Sequence, residues 1–491
     1  MLCYLAKQRN SDTRQPNNGV GHGVDAHTAA IPKGDDALTT ETLRALAAAT
    51  NAALDYAATI RNRRVAPDAH AVAGLLALRV PLADEPTDAE VVVRALHAHG
   101  SPATVASTGG RFFGLVVGAT VPAALGARVL ASAWDQVVFN DATSPAGYAL
   151  ERCAGEWVKD LIGLPSESHV SFVTGATMAS FTCLAAARQQ LLRRAGHDVS
   201  EHGLWTAPRI RVVASEEAHV TVIKALTLLG WGKADIERVP TDDQGRMIAD
   251  RLPPLDDRTI VCVQAGNVNS GSFDPFEAIC EQARRAGAWV HVDGAFGLWA
   301  AASPAYRHLT RGVSDADSWV LDGHKWLNTP YDCGMAIVRD PEPLFGAMST
   351  QASYLKLGTL LAPKDMGPEF SRSTRGVEVW AALRSLGRRG VADLIDRCCA
   401  RATQLADGLR AGGFTIANEV VLNQVVARIG TAEDHDRIVQ RTRDSGECWL
   451  GPTIWRGQSA VRLSVSSWNT DADDVRRAVA AICRAATPTG D

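Results

Sequence analysis

At 491 residues the chain is longer than one hydrophobic core can serve, so two or more subdomains are expected. Hydrophobic residues make up 46% and charged residues 21%, the balance of a globular protein and not of a disordered one. A net charge of −4 with no basic stripe gives nucleic-acid or anionic-membrane binding no support.

The start, Met1 to Ala6, is too short for a signal-peptide core, and no uncharged apolar run reaches the roughly 20 residues of a membrane span. Ten cysteines without a C-x-x-C pair read as free thiols in a reducing compartment, and a cytoplasmic protein is expected. Residues 1–36 are polar and aperiodic, a flexible tail. A helical pattern follows from Thr40 to Arg64 within an N-terminal helical segment, 37–150. The reading for 151–370 is a large α/β domain. Strands are predicted at His169–Val173, Arg209–Val213, Thr259–Val263, Trp289–Val292, Ser318–Leu321 and Met335–Val338, with helices through Ala179–Arg188, Ala218–Leu229 and Phe276–Arg285. Short apolar runs alternating with helices argue for a buried, mostly parallel central sheet with helices on both faces. After Glu369 a helical stretch runs to about Leu409. Strands at Val420–Ile429 and Ala460–Val465 and helices at Glu433–Arg443 and Asp471–Ala486 then make 371–491 a small α+β domain.

Functional groups in such sheets gather at the carboxyl ends of strands. There the chain carries His291-Val292-Asp293-Gly294-Ala295-Phe296-Gly297 and Asp322-Gly323-His324-Lys325-Trp326-Leu327. Taken singly, these residues have ordinary readings: Lys325 a surface lysine, Asp293 a helix cap or strand-end salt bridge. Together they suit pyridoxal phosphate. Partial burial favours the neutral amine with which Lys325 would hold the aldehyde as a Schiff base, and Asp293 would keep the ring nitrogen protonated. Gly294 and Ala295 leave room for a flat ring. Gly175-Ala176-Thr177-Met178-Ala179-Ser180 joins a strand to a helix. It reads equally as a capped turn or as an anion site built from free N–H groups. His219, just past a strand end, reads as a cap, a core residue or an imidazole stacked on an aromatic ring.

On these segments the chain resembles the group II pyridoxal-phosphate-dependent amino-acid decarboxylases of the type I aminotransferase fold, from about residue 80 onward. The resemblance is carried by Arg111-Phe112-Phe113-Gly114 with Pro122-Ala123, Ser144-Pro145-Ala146, Gly163-Leu164-Pro165, Ser215-Glu216-Glu217-Ala218-His219, and the turn Gly266 to Pro275. Its most specific part is His324-Lys325-Trp326-Leu327 with Pro330-Tyr331-Asp332-Cys333-Gly334. It implies that Lys325 tethers the cofactor, Asp293 binds its ring nitrogen, and His219 stacks on one ring face opposite Ala295. Ala176, Thr177 and His324 would contact the phosphate. It also implies decarboxylation of an L-amino acid in a homodimer whose sites lie at the subunit interface.

For the substrate, Phe112 and Phe113 line an apolar pocket or pack in the core, and Arg462 clamps a carboxylate or forms a structural salt bridge. The sequence departs from the family at Met178 (usually Glu), at Gly323 (commonly Pro), and between Lys356 and Phe370, where the loop tyrosine that protonates Cα is missing. Tyr354 matches a fixed segment before that loop. The last departure keeps open an aldehyde-forming oxidative decarboxylation-deamination, or another Cα-bond lyase. Intact Lys325, Asp293 and His219 count against a noncatalytic scaffold. The lack of a G-x-G-x-x-G after a first strand counts against a dinucleotide oxidoreductase.

Overall fold

The structure is a computed structural model and describes residues 36–350 and 361–487. The expected tail, apart from Asp36, lies outside the described residues, as do Tyr354 and the segment 356–360. Asp36 itself caps the first helix, accepting a hydrogen bond from the Thr39 N–H at 2.7 Å.

Four helices lead the chain: α1 (Ala37–Thr59), α2 (Ala69–Gly74), α3 (Ala89–Gly100) and α4 (Pro122–Trp134). The large domain opens with α5 (Pro145–Ile162). It continues through β1 (His169–Val173), α6 (Ala176–Arg194), α7 (Val199–His202), β2 (Arg211–Ser215), α8 (Val220–Leu228) and β3 (Ile236–Val239). It closes with β4 (Thr259–Gln264), α9 (Phe276–Ala286), β5 (Trp289–Asp293), β6 (Ser318–Asp322), β7 (Gly334–Val338) and α10 (Pro341–Met348). The seven strands form one sheet in the order β1-β7-β6-β5-β4-β2-β3. Its β6-β5-β4-β2-β3 portion is parallel, while β7 runs antiparallel to both its neighbours.

Period-two alternation sends neighbouring side chains to opposite layers. Val261, Val263, Trp319 and Leu321 join the core that includes Phe113, Val158 and Leu394. Ile260, Cys262, Val320 and Ala336 join the other, with Leu184 and Leu226 of α6 and α8. Trp289, His291 and Asp293 share one strand face, the face on which Trp289 enters the α6/α8 layer. Asp293 is thereby aimed into the space between the sheet and those two helices.

The small domain packs α11 (Gly376–Ala411), α12 (Ala432–Ser445) and α13 (Ala472–Ala486) with the four-stranded antiparallel sheet β10-β11-β9-β8. The strands are β8 (Thr415–Ile416), β9 (Gln424–Arg428), β10 (Gly451–Trp455) and β11 (Gln458–Ser464). The long helix expected after Glu369 is two helices in line, broken at Gly387, whose φ of 62° lies in the left-handed region. No helix among the described residues is long and apolar enough to cross a membrane.

Candidate active site

Asp293 ends β5 and is 7% exposed. One carboxylate oxygen accepts the Ala295 N–H at 3.2 Å, and among the described residues the side chain forms no ion pair. A buried carboxylate held by so little is costly unless a cation or an N–H donor completes it. The expected strand-end salt bridge is therefore not what Asp293 makes. Gly294 owes its small size to internal packing: a Cβ there would stand 2.6 Å from the Leu298 Cβ and 3.0 Å from the Val320 carbonyl.

Lys325 follows the end of β6. Its Nζ lies 3.1 Å from Asp322 Oδ2, and His324 Nε2 lies 3.5 Å from the same oxygen. The lysine is thus paired with a carboxylate and not simply desolvated, as the sequence suggested. Asp322 is 1% exposed, and its second oxygen has no partner. The His324 Nδ1 accepts the Cys333 N–H at 3.0 Å, which fixes the ring. The Gly323 N–H donates to the Cys333 carbonyl at 3.0 Å, a bond that proline, the family's common residue here, cannot make. Asn328 locks the lysine turn. Its Nδ2 donates to the carbonyls of Trp326 and Ser466, and its Oδ1 accepts from Ala119 and Trp468. The N-terminal segment presses on the same turn, for a Cβ on Gly118 would fall 1.8 Å from the Lys325 carbonyl oxygen.

The turn before α6 completes one wall. Gly175 is the N-cap and supplies no side-chain hydrogen bond, so the first N–H groups of a 19-residue helix stay available. A Cβ at Gly175 would come within 3.1 Å of the His324 ring and 3.8 Å of Asp322 Oδ1, and one at Gly334 would meet the Gly175 backbone at 2.4 Å. The cradle, His324 and the lysine segment are therefore one assembly. Thr177 is partly exposed at this helix start, whereas Met178 packs toward the core.

His219 caps α8, its Nδ1 lying 2.6 Å from Thr221 Oγ1. Burial pushes its imidazole below the ordinary histidine range; Asp293 opposes this, while Lys325 and Arg462 add to it. His219, Asp293, Lys325 and Arg462 thus share one electrostatic neighbourhood. Ala295 belongs to the same layer. Arg462, on β11, donates to the Val268 carbonyl at 3.2 Å, and burial disfavours its charge. It forms no ion pair among the described residues, so the salt-bridge reading fails. Phe113 is a fully buried core residue with its N–H on the Trp449 carbonyl, and Phe112 stacks on Trp449 at 5.0 Å. Asp322 and Asn328 were not singled out in the sequence, since each looks like an ordinary strand-end or turn residue until its partners are known.

A lysine amine beside a helix N-terminus, with a carboxylate and a guanidinium that form no ion pair among the described residues, suits a phosphate-bearing, ring-nitrogen cofactor with a carboxylate substrate. The pyridoxal-dependent decarboxylase conserved domain matches residues 81–430. The chain belongs to that family. As a pyridoxal-dependent decarboxylase it is 28% identical over 428 residues to tryptophan decarboxylase 1 of Oryza sativa subsp. japonica, covering 79% of this chain and 82% of that one. It is 27% identical to the phenylacetaldehyde synthase of a Rosa hybrid cultivar, over 62% of each chain. The crystal structure of Oryza sativa TDC with PLP and tryptamine superposes with a TM-score of 0.83 at 26% identity, over 92% of this chain and 99% of that one. The decarboxylase thus has the α/β pyridoxal-phosphate fold expected from its sequence, and pyridoxal phosphate is its cofactor.

Proposed function

We propose that this pyridoxal-dependent decarboxylase releases carbon dioxide from an aromatic L-amino acid to give the amine. The observation that carries the reading is that Lys325 follows the His324–Gly175 contact at the α6 N-terminus and pairs with Asp322, while the charges of Lys325, Asp293 and Arg462 all act on His219. Bound there, pyridoxal phosphate supplies an electron sink for the pair left when a bond to Cα breaks. In this reading Lys325 holds the cofactor aldehyde and Asp293 accepts the ring N–H. Ala176, Thr177 and His324 receive the phosphate. His219 covers one ring face, with Ala295 on the other. Arg462 receives a substrate carboxylate, a geometry its planar fork suits. The aromatic substrate class rests on the named relatives, including the tryptophan and tyrosine decarboxylases. The nine cysteines among the described residues are all free, which fits the cytosol, where we place the protein.

The test supplies purified protein and cofactor with single L-amino acids and follows carbon dioxide, amine, aldehyde and peroxide. Carbon dioxide with matching amine is expected. Peroxide and aldehyde in step with carbon dioxide would establish the oxidative alternative, which the tyrosine-free stretch 356–370 and the Rosa relative favour. No carbon dioxide from any amino acid would end the reading.

We also propose a homodimer built on the N-terminal helices. Leu54, Val91, Val92, Leu96, Val129 and Leu130 on α1, α3 and α4 are each about half exposed or more. They flank an apolar cavity of about 900 Å³ lined by Ala49, Ala53, Leu96 and Leu125. So much exposed apolar surface marks an interface. Sedimentation is expected to give a dimer, and Val129→Glu with Leu130→Glu a monomer; wild-type protein sedimenting as a monomer would refute it.

A further inference from the structure

A protonated amine is no nucleophile, so Lys325 can take up an aldehyde only after a neighbour has received its proton. Lys325 Nζ lies 3.1 Å from Asp322 Oδ2, and Asp322 is its only ion-pair partner among the described residues. The two nearby imidazoles are not free to accept that proton. His324 Nδ1 already accepts the Cys333 N–H at 3.0 Å, so the ring's one proton sits on Nε2, which lies 3.5 Å from Asp322 Oδ2. A second proton would break the Cys333 bond, and burial already pushes this imidazole below the ordinary histidine range. His219 is held in the same way, its Nδ1 accepting the Thr221 N–H at 3.4 Å.

Asp322 ends β6 and is 1% exposed. Its two oxygens have different surroundings. Oδ2 meets the lysine and the histidine. Oδ1 has no partner, and it lies 3.8 Å from the place where a Cβ on Gly175 would stand. Gly175 is the N-cap of α6, so Oδ1 fronts the helix start and its free N–H groups. In the cofactor-free chain the helix dipole on one side and the ammonium on the other both stabilise the carboxylate. A phosphate monoester at the helix start brings a charge of about −1.5 to −2 at neutral pH and takes those N–H groups for itself. It meets the carboxylate before the ammonium. Like charges then oppose the ion pair, and an amine beside a carboxylic acid becomes the favoured arrangement.

We propose that Asp322 is the base that frees the Lys325 amine, and that phosphate binding at the α6 N-terminus drives the transfer. The assignment rests on the reading of Lys325 as the cofactor's tether. One N–H bond of the ammonium breaks, and its electron pair stays on Nζ. The proton joins Oδ2, turning the carboxylate into a carboxylic acid. Nothing is exchanged with solvent, and the pair stays neutral throughout. The amine thus becomes reactive only once the phosphate end of the cofactor is seated.

The experiment uses cofactor-free protein and inorganic phosphate, so no turnover is read. On phosphate addition, infrared difference spectra are expected to lose one carboxylate band and gain one carboxylic-acid band. Asp322→Asn is expected to show neither change while still binding phosphate in calorimetry. Acetylation of Lys325, located by peptide mapping, is expected to speed up about tenfold or more when phosphate binds the wild type. Without Asp322 the anion only steadies the ammonium, so phosphate is expected to slow acetylation in the variant. The wild-type spectra and rates decide the matter even where the variant does not fold. Phosphate bound to the wild type without an acid band, or with slower acetylation, would overturn the assignment. So would a wild type that binds no phosphate, or an acid band that persists in Asp322→Asn. Those results leave the tether reading intact, because borohydride fixation of the cofactor tests it separately. Fixation at a lysine other than Lys325 would remove that reading, and the role of Asp322 with it.

Discussion

Lys325→Ala is expected to lower turnover by about 10⁴-fold or more, the loss associated with removing a group that acts directly on reacting atoms. Borohydride reduction followed by peptide mapping is expected to fix the cofactor to Lys325 in the wild type and nowhere in the variant. A second effect is separable from the first. Lys325 Nζ is the cationic partner of Asp322, at 3.1 Å, with the His324 nitrogen at 3.5 Å, and the carboxylate is 1% exposed. Removing the ammonium leaves a buried charge short of its partner, at a cost of about 3 kcal/mol to the cofactor-free protein. The double change Lys325→Ala with Asp322→Asn removes that charge. It is expected to recover most of the melting temperature and none of the activity. Recovery of turnover in the double variant, or borohydride fixation at another lysine, would show that the amine has been misassigned.

The division between what the sequence announced and what it concealed follows the range of the interactions. Buried strands such as Thr259–Gln264 and Trp289–Asp293 are runs of β-branched and aromatic residues ended by polar ones, so their positions were legible to within a residue or so. β3 escaped because it lies at a sheet edge with Glu237 and Arg238 in its middle, where no second neighbour demands an apolar run. β10, also an edge strand, carries Pro452 and alternates exposed with half-buried residues. Lys325, Asp293 and His219 stood out in the sequence because their chemistry is unusual beside their neighbours. Arg462 was ambiguous, since no local pattern tells a clamp from a salt bridge; the structure speaks only against the second, for Arg462 donates to the Val268 carbonyl and forms no ion pair among the described residues. Asn328 was invisible for the same reason in reverse. Its meaning lies in partners at Ala119, Ser466 and Trp468, far off in the chain. The glycines at 118 and 175 likewise matter only because distant backbone and the His324 ring close on them.

Asp293→Asn is expected to move stability and activity in opposite directions. In the cofactor-free protein Asp293 is 7% exposed and holds one hydrogen bond from the Ala295 N–H, with no ion pair among the described residues. An asparagine of the same shape keeps that bond through its carbonyl oxygen and buries no charge. The cofactor-free variant should therefore gain about 1–3 kcal/mol, seen as a higher melting temperature. With cofactor present the order reverses. A neutral amide no longer holds the ring nitrogen protonated, so the transition state loses a charge partner placed in a low-dielectric site, and kcat is expected to drop by on the order of 10³-fold. The extra melting temperature that cofactor confers on the wild type should shrink in the variant, since less binding energy is then realised in the native state. A wild-type carboxylate serving only the fold would give the contrary result, a less stable cofactor-free variant with near-normal turnover. In the proposed reading the carboxylate that the folded chain tolerates without an ion-pair partner is the one the chemistry needs, and the two signs measured on one substitution test that link directly.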